Sequence, residues 1–326
     1  YLGAGTGTKD NGGSGAKNVL FSYFARANYS FMDRYLVSGT IRYDGSSRFG
    51  QNNRFGAFPA FSVGWRLGEV AFFKKILRGF DDLKLRYSWG KVGNQEIDNN
   101  AIFGLYVTDY NTTAYDLNGN KSGVLPSGYK LIQNPNPDLR WEATTNSNFG
   151  ADFSLWSQKL YGSVDYFTKN TSDILLLPPY IGVLGEGGNR WVNGASMENK
   201  GWEFTLGHRS KISDNLSLDV NANFDRIRNR VTKLPAEVVN AYGGDGRGQN
   251  ILGHTLGSHF GYVANGLFRT QAEVDAHATQ NGKGLGRIRF SDLNEDGVID
   301  DYDRTWIGNP LPNFTYGFNA NLNFKN

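Results

Sequence analysis

Val19-LFSYFARANYS-Phe31 places an apolar or aromatic residue at every odd position: Val19, Phe21, Tyr23, Ala25, Ala27, Tyr29 and Phe31. Ser22, Arg26, Asn28 and Ser30 fall between them. Successive side chains of a strand point to opposite faces, so a period of two reads as a long strand with one apolar face. After a turn at Met32 to Arg34 the pattern returns. Tyr35, Val37, Gly39, Ile41 and Tyr43 alternate with Ser38, Thr40, Arg42 and Asp44, which completes a hairpin.

The same alternation runs outward along the chain. Ala57 to Leu67 and Leu83 to Trp89 carry it next. Phe149 to Leu155 and Leu160 to Tyr166 flank a short turn at Trp156 to Gln158. Trp202 to Leu206 and Leu216 to Phe224 flank another at Ser213 to Asn215, and Phe314 to Phe324 closes the series. With a weaker strand around Gly257 to Phe268, about ten strands are expected. The connections at Met32, Trp156 and Ser213 are short. Residues 95–140, 178–194 and 233–253 are long, polar and rich in Gly, Asn and Pro. Short turns on one side and long loops on the other are the habit of transmembrane β-barrels. Two short helices are expected as well, one over Glu69 to Phe80 on the short-turn side and one over Gln271 to Thr279 among the long loops.

Composition narrows the function. The 326 residues include 42 Gly and no Cys, so disulfides, thiol nucleophiles and Cys-based metal sites are excluded. A net charge of +3 gives no field that favours nucleic acid. The mean hydropathy is −0.48, and no uninterrupted apolar run approaches the length of a membrane helix, the longest cluster being Ile174 to Leu177 before Pro178 and Pro179. An all-β antiparallel barrel survives that polar average because only every second residue meets lipid. The rival reading, a soluble β-sandwich, uses strands of about 5–6 residues. Several strands here run past ten, and their polar positions carry Asn, Ser, Gly, Asp and Arg rather than Lys and Glu. Tyr35, Trp65, Trp89, Trp156 and Trp202 suit interfacial girdles.

One motif stands out locally. Asp292, Asn294, Asp296, Asp300 and Asp303 fall at positions 1, 3, 5, 9 and 12 of a loop, with Gly297 at 6 and the Val298 carbonyl at 7. A hard divalent cation takes six to eight oxygens, and the sharp bend at position 6 favours a residue without Cβ, so the spacing is that of a calcium loop. Its flanks are not helical, which argues for a structural Ca²⁺ rather than a sensor. The competing explanation is a metal-free Asx-rich turn. His208, His254, His259 and His277 show no zinc spacing, and no nucleophile elbow or phosphate loop occurs, so no enzyme is indicated. Tyr106, Tyr110, Tyr115, Tyr129, Tyr180, Trp191 and Tyr242 are loop aromatics suited either to stacking on a sugar ring or a partner, or to packing loops together. The first four and Trp191 are the substrate-binding candidates.

Several blocks carry a family resemblance: Ile41-RYDGSSRFGQNNRFGAFPAFSVGWR-Leu67, Asp81-DLKLRYSWGKVGNQE-Ile97, Asn134-PNPDLRWEATTNSNFGADFS-Leu155, Met197-ENKGWE-Phe204, Phe260-GYVANGLF-Arg269 and Asp292-LNEDGVIDDYDRTWIGNP-Leu311. In these the chain resembles the SusC/RagA family of TonB-dependent outer-membrane transporters of Bacteroidetes, from about Asn18 onward. The resemblance implies a plugged barrel of about 22 strands. It also implies a SusD-like surface lipoprotein as lid, energy from TonB, and import of oligosaccharides or peptides across the outer membrane. Residues 1–326 would form part of that barrel domain, with 284–306 an extracellular calcium-loop-like insertion. The plug and closing strands are expected elsewhere. Arg26, Asn28, Arg42, Asp44, Arg86, Asp219 and Asn221 would face the lumen. The alternatives are a siderophore- or cobalamin-type receptor without a lid, and a secreted calcium-stabilised β-rich binding protein.

Overall fold

The computed structural model describes residues 15, 17–76, 79–108, 128–178, 188–235, 239, 242–245 and 248–325. In chain order the elements are β1 (Leu20–Phe31), β2 (Tyr35–Ser46), β3 (Phe55–Arg66), α1 (Ala71–Ile76), β4 (Phe80–Asn94), β5 (Leu105–Val107), β6 (Lys130–Gln133), β7 (Glu142–Leu155) and β8 (Leu160–Leu176). There follow β9 (Val192–Ser213), β10 (Leu216–Lys233), β11 (His259–Tyr262), β12 (Ala264–Leu267), α2 (Gln271–Ala276), β13 (Ile288–Phe290), β14 (Arg304–Gly308) and β15 (Thr315–Phe324).

Nine strands form one antiparallel sheet in the order β1-β2-β3-β4-β7-β8-β9-β10-β15. Neighbours in space are neighbours in sequence except across two loops, which build hairpins of their own: β5 pairs with β6, β11 with β14 and β12 with β13. The segment around Gly257 to Phe268 therefore belongs to the loops, not to the wall. Its strands are four residues each and find partners in the same loop. The expected helices are shorter than their patterns, Ala71–Ile76 and Gln271–Ala276.

The register unites the apolar positions. One row runs Phe31, Tyr35, Trp65, Leu85, Ala151, Val164, Phe204, Phe224 and Tyr316, crossing all nine strands. It starts beside the short turn of β1 and ends near the long-loop end of β15. That stagger is what closing a tilted sheet into a barrel requires. The next row, Ser30, Leu36, Gly64, Arg86, Gly150, Asp165, Glu203, Asp225 and Thr315, is polar except at Leu36 and two glycines. A slip of one residue anywhere would exchange the two faces, so the pattern fixes the register.

Turn chemistry supports the same pairing. Met32 and Asp33 both have positive φ, 52° and 53°, and Arg34 N donates to Phe31 O at 3.1 Å. Two left-handed central residues make the type I′ turn that matches strand twist. The β3–β4 ladder ends at Ala60 and Gly90, next to Pro59, which has no N–H to continue it. At the loop ends of β3, β4 and β7, Phe49, Phe58, Ile97, Ala101, Leu139 and Trp141 form a buried cluster. Trp65 lies at the short-turn end, and Trp89 and Trp202 lie part-way along their strands, on the long-loop side of the apolar row.

Candidate functional site

The polar face of the sheet carries the densest chemistry. Arg86 on β4 reaches across β7 to β8. Its Nη1 and Nη2 donate to Asp165 Oδ1 and Oδ2 at 2.7 and 2.6 Å, and its Nε donates to Asp152 Oδ2 at 3.0 Å. Lys84 Nζ lies 3.7 Å from the same Asp152 oxygen. The planar guanidinium suits two carboxylates at once, and each bond is charge-assisted. Between them sits Gly150, where an added Cβ would fall 2.6 Å from Arg86 Cζ and from Asp165 Oδ1. Gly207 similarly makes room for the Tyr161 ring, which a Cβ there would meet at 2.2 Å. Part of the Gly excess is thus clearance for long polar-face side chains.

A second group lies nearer the short turns. Tyr161 Oη donates to Asp219 Oδ1 at 2.9 Å, and Arg209 Nε donates to Asp219 Oδ2 at 2.9 Å. Ser38 and Ser62 share a hydrogen bond of 2.7 Å between their hydroxyls. Arg42 pairs with Asp44 at 3.0 Å. Arg26 Nε donates to Asn28 Oδ1 at 3.2 Å. Arg26, Asn28, Arg42, Asp44, Arg86, Asp219 and Asn221 all fall on this polar parity. Asp152, Asp165, Gly150, Tyr161 and Arg209 are the partners that sequence reading missed. Arg86 and Asp165 stand 79 residues apart, and only the register brings them together.

The loop aromatics do not form one group. Tyr106 and Tyr129 are 66% and 77% exposed at the β5–β6 hairpin. Trp191 packs against the buried cluster, and its carbonyl accepts from Asn136 Nδ2 at 2.7 Å. Tyr110, Tyr115 and Tyr180 lie outside the described residues. Tyr242 is partly buried.

In the Asp292–Asp303 loop, Glu295 and Gly297 have positive φ of 60° and 84°. Gly297 N donates to Asp292 Oδ2 at 2.8 Å, and Val298 N donates to Asp296 Oδ1 at 2.9 Å. Asp303 is fully buried, accepting from Leu293 N at 2.7 Å and Asp300 N at 2.8 Å. Burial opposes its charge, yet the backbone N–H bonds outweigh that and hold its carboxyl below the usual carboxylate range. Among the described residues no three His, Cys, Asp or Glu side chains already converge as a metal cage. Asp292 Oδ1, however, is buried without any hydrogen-bond partner, and each carboxylate oxygen of Asp303 keeps a second lone pair. The donor set, all oxygen, fits a hard cation.

The sequence matches the family described as TonB dependent receptor-like, beta-barrel, over residues 2–326. It is 32% identical over 319 residues to the TonB-dependent receptor SusC of Bacteroides thetaiotaomicron, covering 95% of this chain and 30% of that one. The TonB-dependent receptor P26 of Formosa agariphila is 31% identical over 315 residues, covering 94% and 30%. Among solved structures, the RagAB peptide importer in its closed-closed state superposes with a TM-score of 0.73 at 25% identity. That overlay covers 95% of this chain and 32% of that one. The chain thus spans about a third of the length of the relatives it matches.

Proposed function

This chain belongs to the TonB-dependent receptor-like β-barrel family of the Gram-negative outer membrane, and from that premise we propose that it is a wall segment of a SusC/RagA-type active importer. The single observation that carries the reading is the unbroken apolar row across nine strands beside a polar row held by the Arg86 ion pairs. One face suits lipid. The other suits a hydrated lumen, where Arg26, Asn28, Arg42, Asp44, Arg86, Asp219 and Asn221 would line the solute path or hold a plug.

The substrate is an oligosaccharide or a peptide, with a SusD-like lipoprotein over the long-loop mouth and TonB supplying energy from the other side. Similarity to SusC and to the RagAB peptide importer supports this. Tyr106 and Tyr129, both exposed on the loop side, would meet solute or lid. The Asp292–Asp303 loop takes a structural Ca²⁺ through the side chains of Asp292, Asn294, Asp296, Asp300 and Asp303 and the Val298 carbonyl. The ion would supply fixed positive charge that knits the loop.

The test is affinity purification of the complete receptor in mild detergent, followed by uptake assays in a strain lacking it. The reading expects a surface lipoprotein in near-equal amount and lost growth on one oligosaccharide or peptide source. Purification of the barrel alone, with growth unchanged on all such sources, would contradict it.

A further inference from the structure

On the apolar face of β10, Leu216, Leu218, Val220, Ala222 and Phe224 occupy alternate positions over nine residues. A membrane-crossing strand needs about 9–11 residues. The next three positions on that face are Arg226, Arg228 and Arg230, all exposed. The change from hydrocarbon to cation is abrupt and occurs one membrane thickness above the short turn.

The neighbouring strands mark the same level. Tyr166 and Trp202 pack with ring centroids 4.7 Å apart, Trp202 and Phe204 at 6.1 Å, Phe204 and Phe224 at 6.1 Å, and Phe224 and Phe314 at 5.7 Å. This aromatic band lies where an interfacial girdle belongs. Arg226 pairs across from Trp202, and Arg228 from Lys200. Lys200 is bonded to Glu198 at 3.0 Å, the one carboxylate among these groups. Arg230 stands across from Glu198, and among the described residues no ion pair joins a carboxylate to Arg226, Arg228 or Arg230. Together with Asn309 and Leu311 they line a cleft of about 380 Å³.

We propose that this basic cleft is a binding site for the phosphorylated headgroup of an outer-leaflet lipid, whose acyl chains lie on the apolar face below. The proposal rests on the reading of that face as lipid-facing. Guanidinium forks bind phosphate oxygens in pairs, and three exposed cations in one column would repel one another without an anion. The occupant is a lipid rather than a soluble anion because the cations stand directly above the girdle, on the face that β10 lines below with Leu216, Leu218, Val220, Ala222 and Phe224.

The experiment places the complete receptor in phosphatidylcholine nanodiscs with and without a phosphorylated lipid A, and counts retained lipid by native mass spectrometry. Each basic residue near an anionic surface is worth about 1 kcal/mol, about fivefold in affinity. R226Q/R228Q/R230Q is therefore expected to weaken retention on the order of a hundredfold, with R26Q on the polar face unchanged. Equal retention by wild type and triple variant, or equal retention of dephosphorylated lipid A, would overturn the proposal. So would displacement by millimolar inorganic phosphate alone, which would identify a soluble-anion site. Brominated-lipid quenching of Trp202 separates the two levels. Absence of quenching removes the lipid-facing reading itself, whereas quenching without phosphate dependence removes only the headgroup site.

Discussion

Arg86 and Asp165 form a two-pronged ion pair at 2.7 and 2.6 Å across the polar face, with Asp152 on the guanidinium's remaining edge. The Asp165 side chain is 10% exposed and that of Arg86 32%. Removing one partner leaves a nearly buried charge unanswered. R86Q is expected to cost about 2 kcal/mol, below the 3–5 of a fully buried pair because Arg86 keeps contact with water. Urea unfolding of the bilayer-folded receptor measures this. In a double-mutant cycle, D165N is expected to recover much of the loss. An unchanged unfolding midpoint for R86Q would show the pair to be idle.

Gly150 gives a steric test of the same network. An alanine there places a methyl 2.6 Å from the Arg86 guanidinium carbon, and overpacking of this kind costs about 1–3 kcal/mol. Gly39, on the apolar face of β2, has no atom within 4 Å of its would-be Cβ. G150A is expected to lower the thermal midpoint, and G39A to leave it in place. Equal effects would mean that the glycine serves backbone freedom and not clearance.

Helix α2 carries a pH dependence with a definite sign. Thr270 Oγ1 accepts from Glu273 N at 3.2 Å, and Arg269 N donates to Glu273 Oε2 at 2.7 Å. That backbone bond from Arg269 holds the Glu273 carboxyl below its ordinary range. A depressed folded value means the stabilisation is present above the unfolded carboxylate pKa and is lost as pH falls through the folded one. Amide exchange at Val274, whose N bonds to Thr270 O at 3.3 Å, is expected to quicken as pH drops below about 4. T270A is expected to quicken it at neutral pH, costing about 1 kcal/mol. Intrinsic exchange rates must be divided out; a flat residual profile would contradict the cap.

Calcium occupancy of the Asp292–Asp303 loop has a direct readout. Chelator is expected to raise proteolysis between Gly284 and Trp306, and D292N to reproduce that sensitivity with Ca²⁺ present. Identical cleavage with and without Ca²⁺ would leave the loop to its Asx hydrogen bonds alone, such as Gly297 N to Asp292 Oδ2.

Alternation in Val19 to Phe31 and its successors was enough to place the nine wall strands, because one buried or lipid-facing side imposes a period of two on the residues themselves. The strand around Gly257 to Phe268 misled for the same reason. Its aromatic residues alternate, but each four-residue strand satisfies itself within the loop. The lumen-side candidates were legible as parity, while the partners of Arg86 were not. No local pattern marks Asp152 or Asp165, since strand register alone selects which distant carboxylates meet. Nor does sequence reveal that Trp191 is spent on packing a loop cluster with Trp141.

The claim on which everything else depends is that even-numbered residues of β10 face lipid and odd-numbered ones face water. Single cysteines at Leu218, Asp219, Val220, Asn221, Ala222 and Asn223 test it in a chain segment that has none of its own. Each would carry a spin label in bilayer-embedded receptor, read against lipid-soluble oxygen and a water-soluble nickel chelate. Oxygen access is expected at 218, 220 and 222 and chelate access at 219, 221 and 223, in strict alternation. Uniform access along the six positions, or the opposite alternation, would contradict the barrel-wall account.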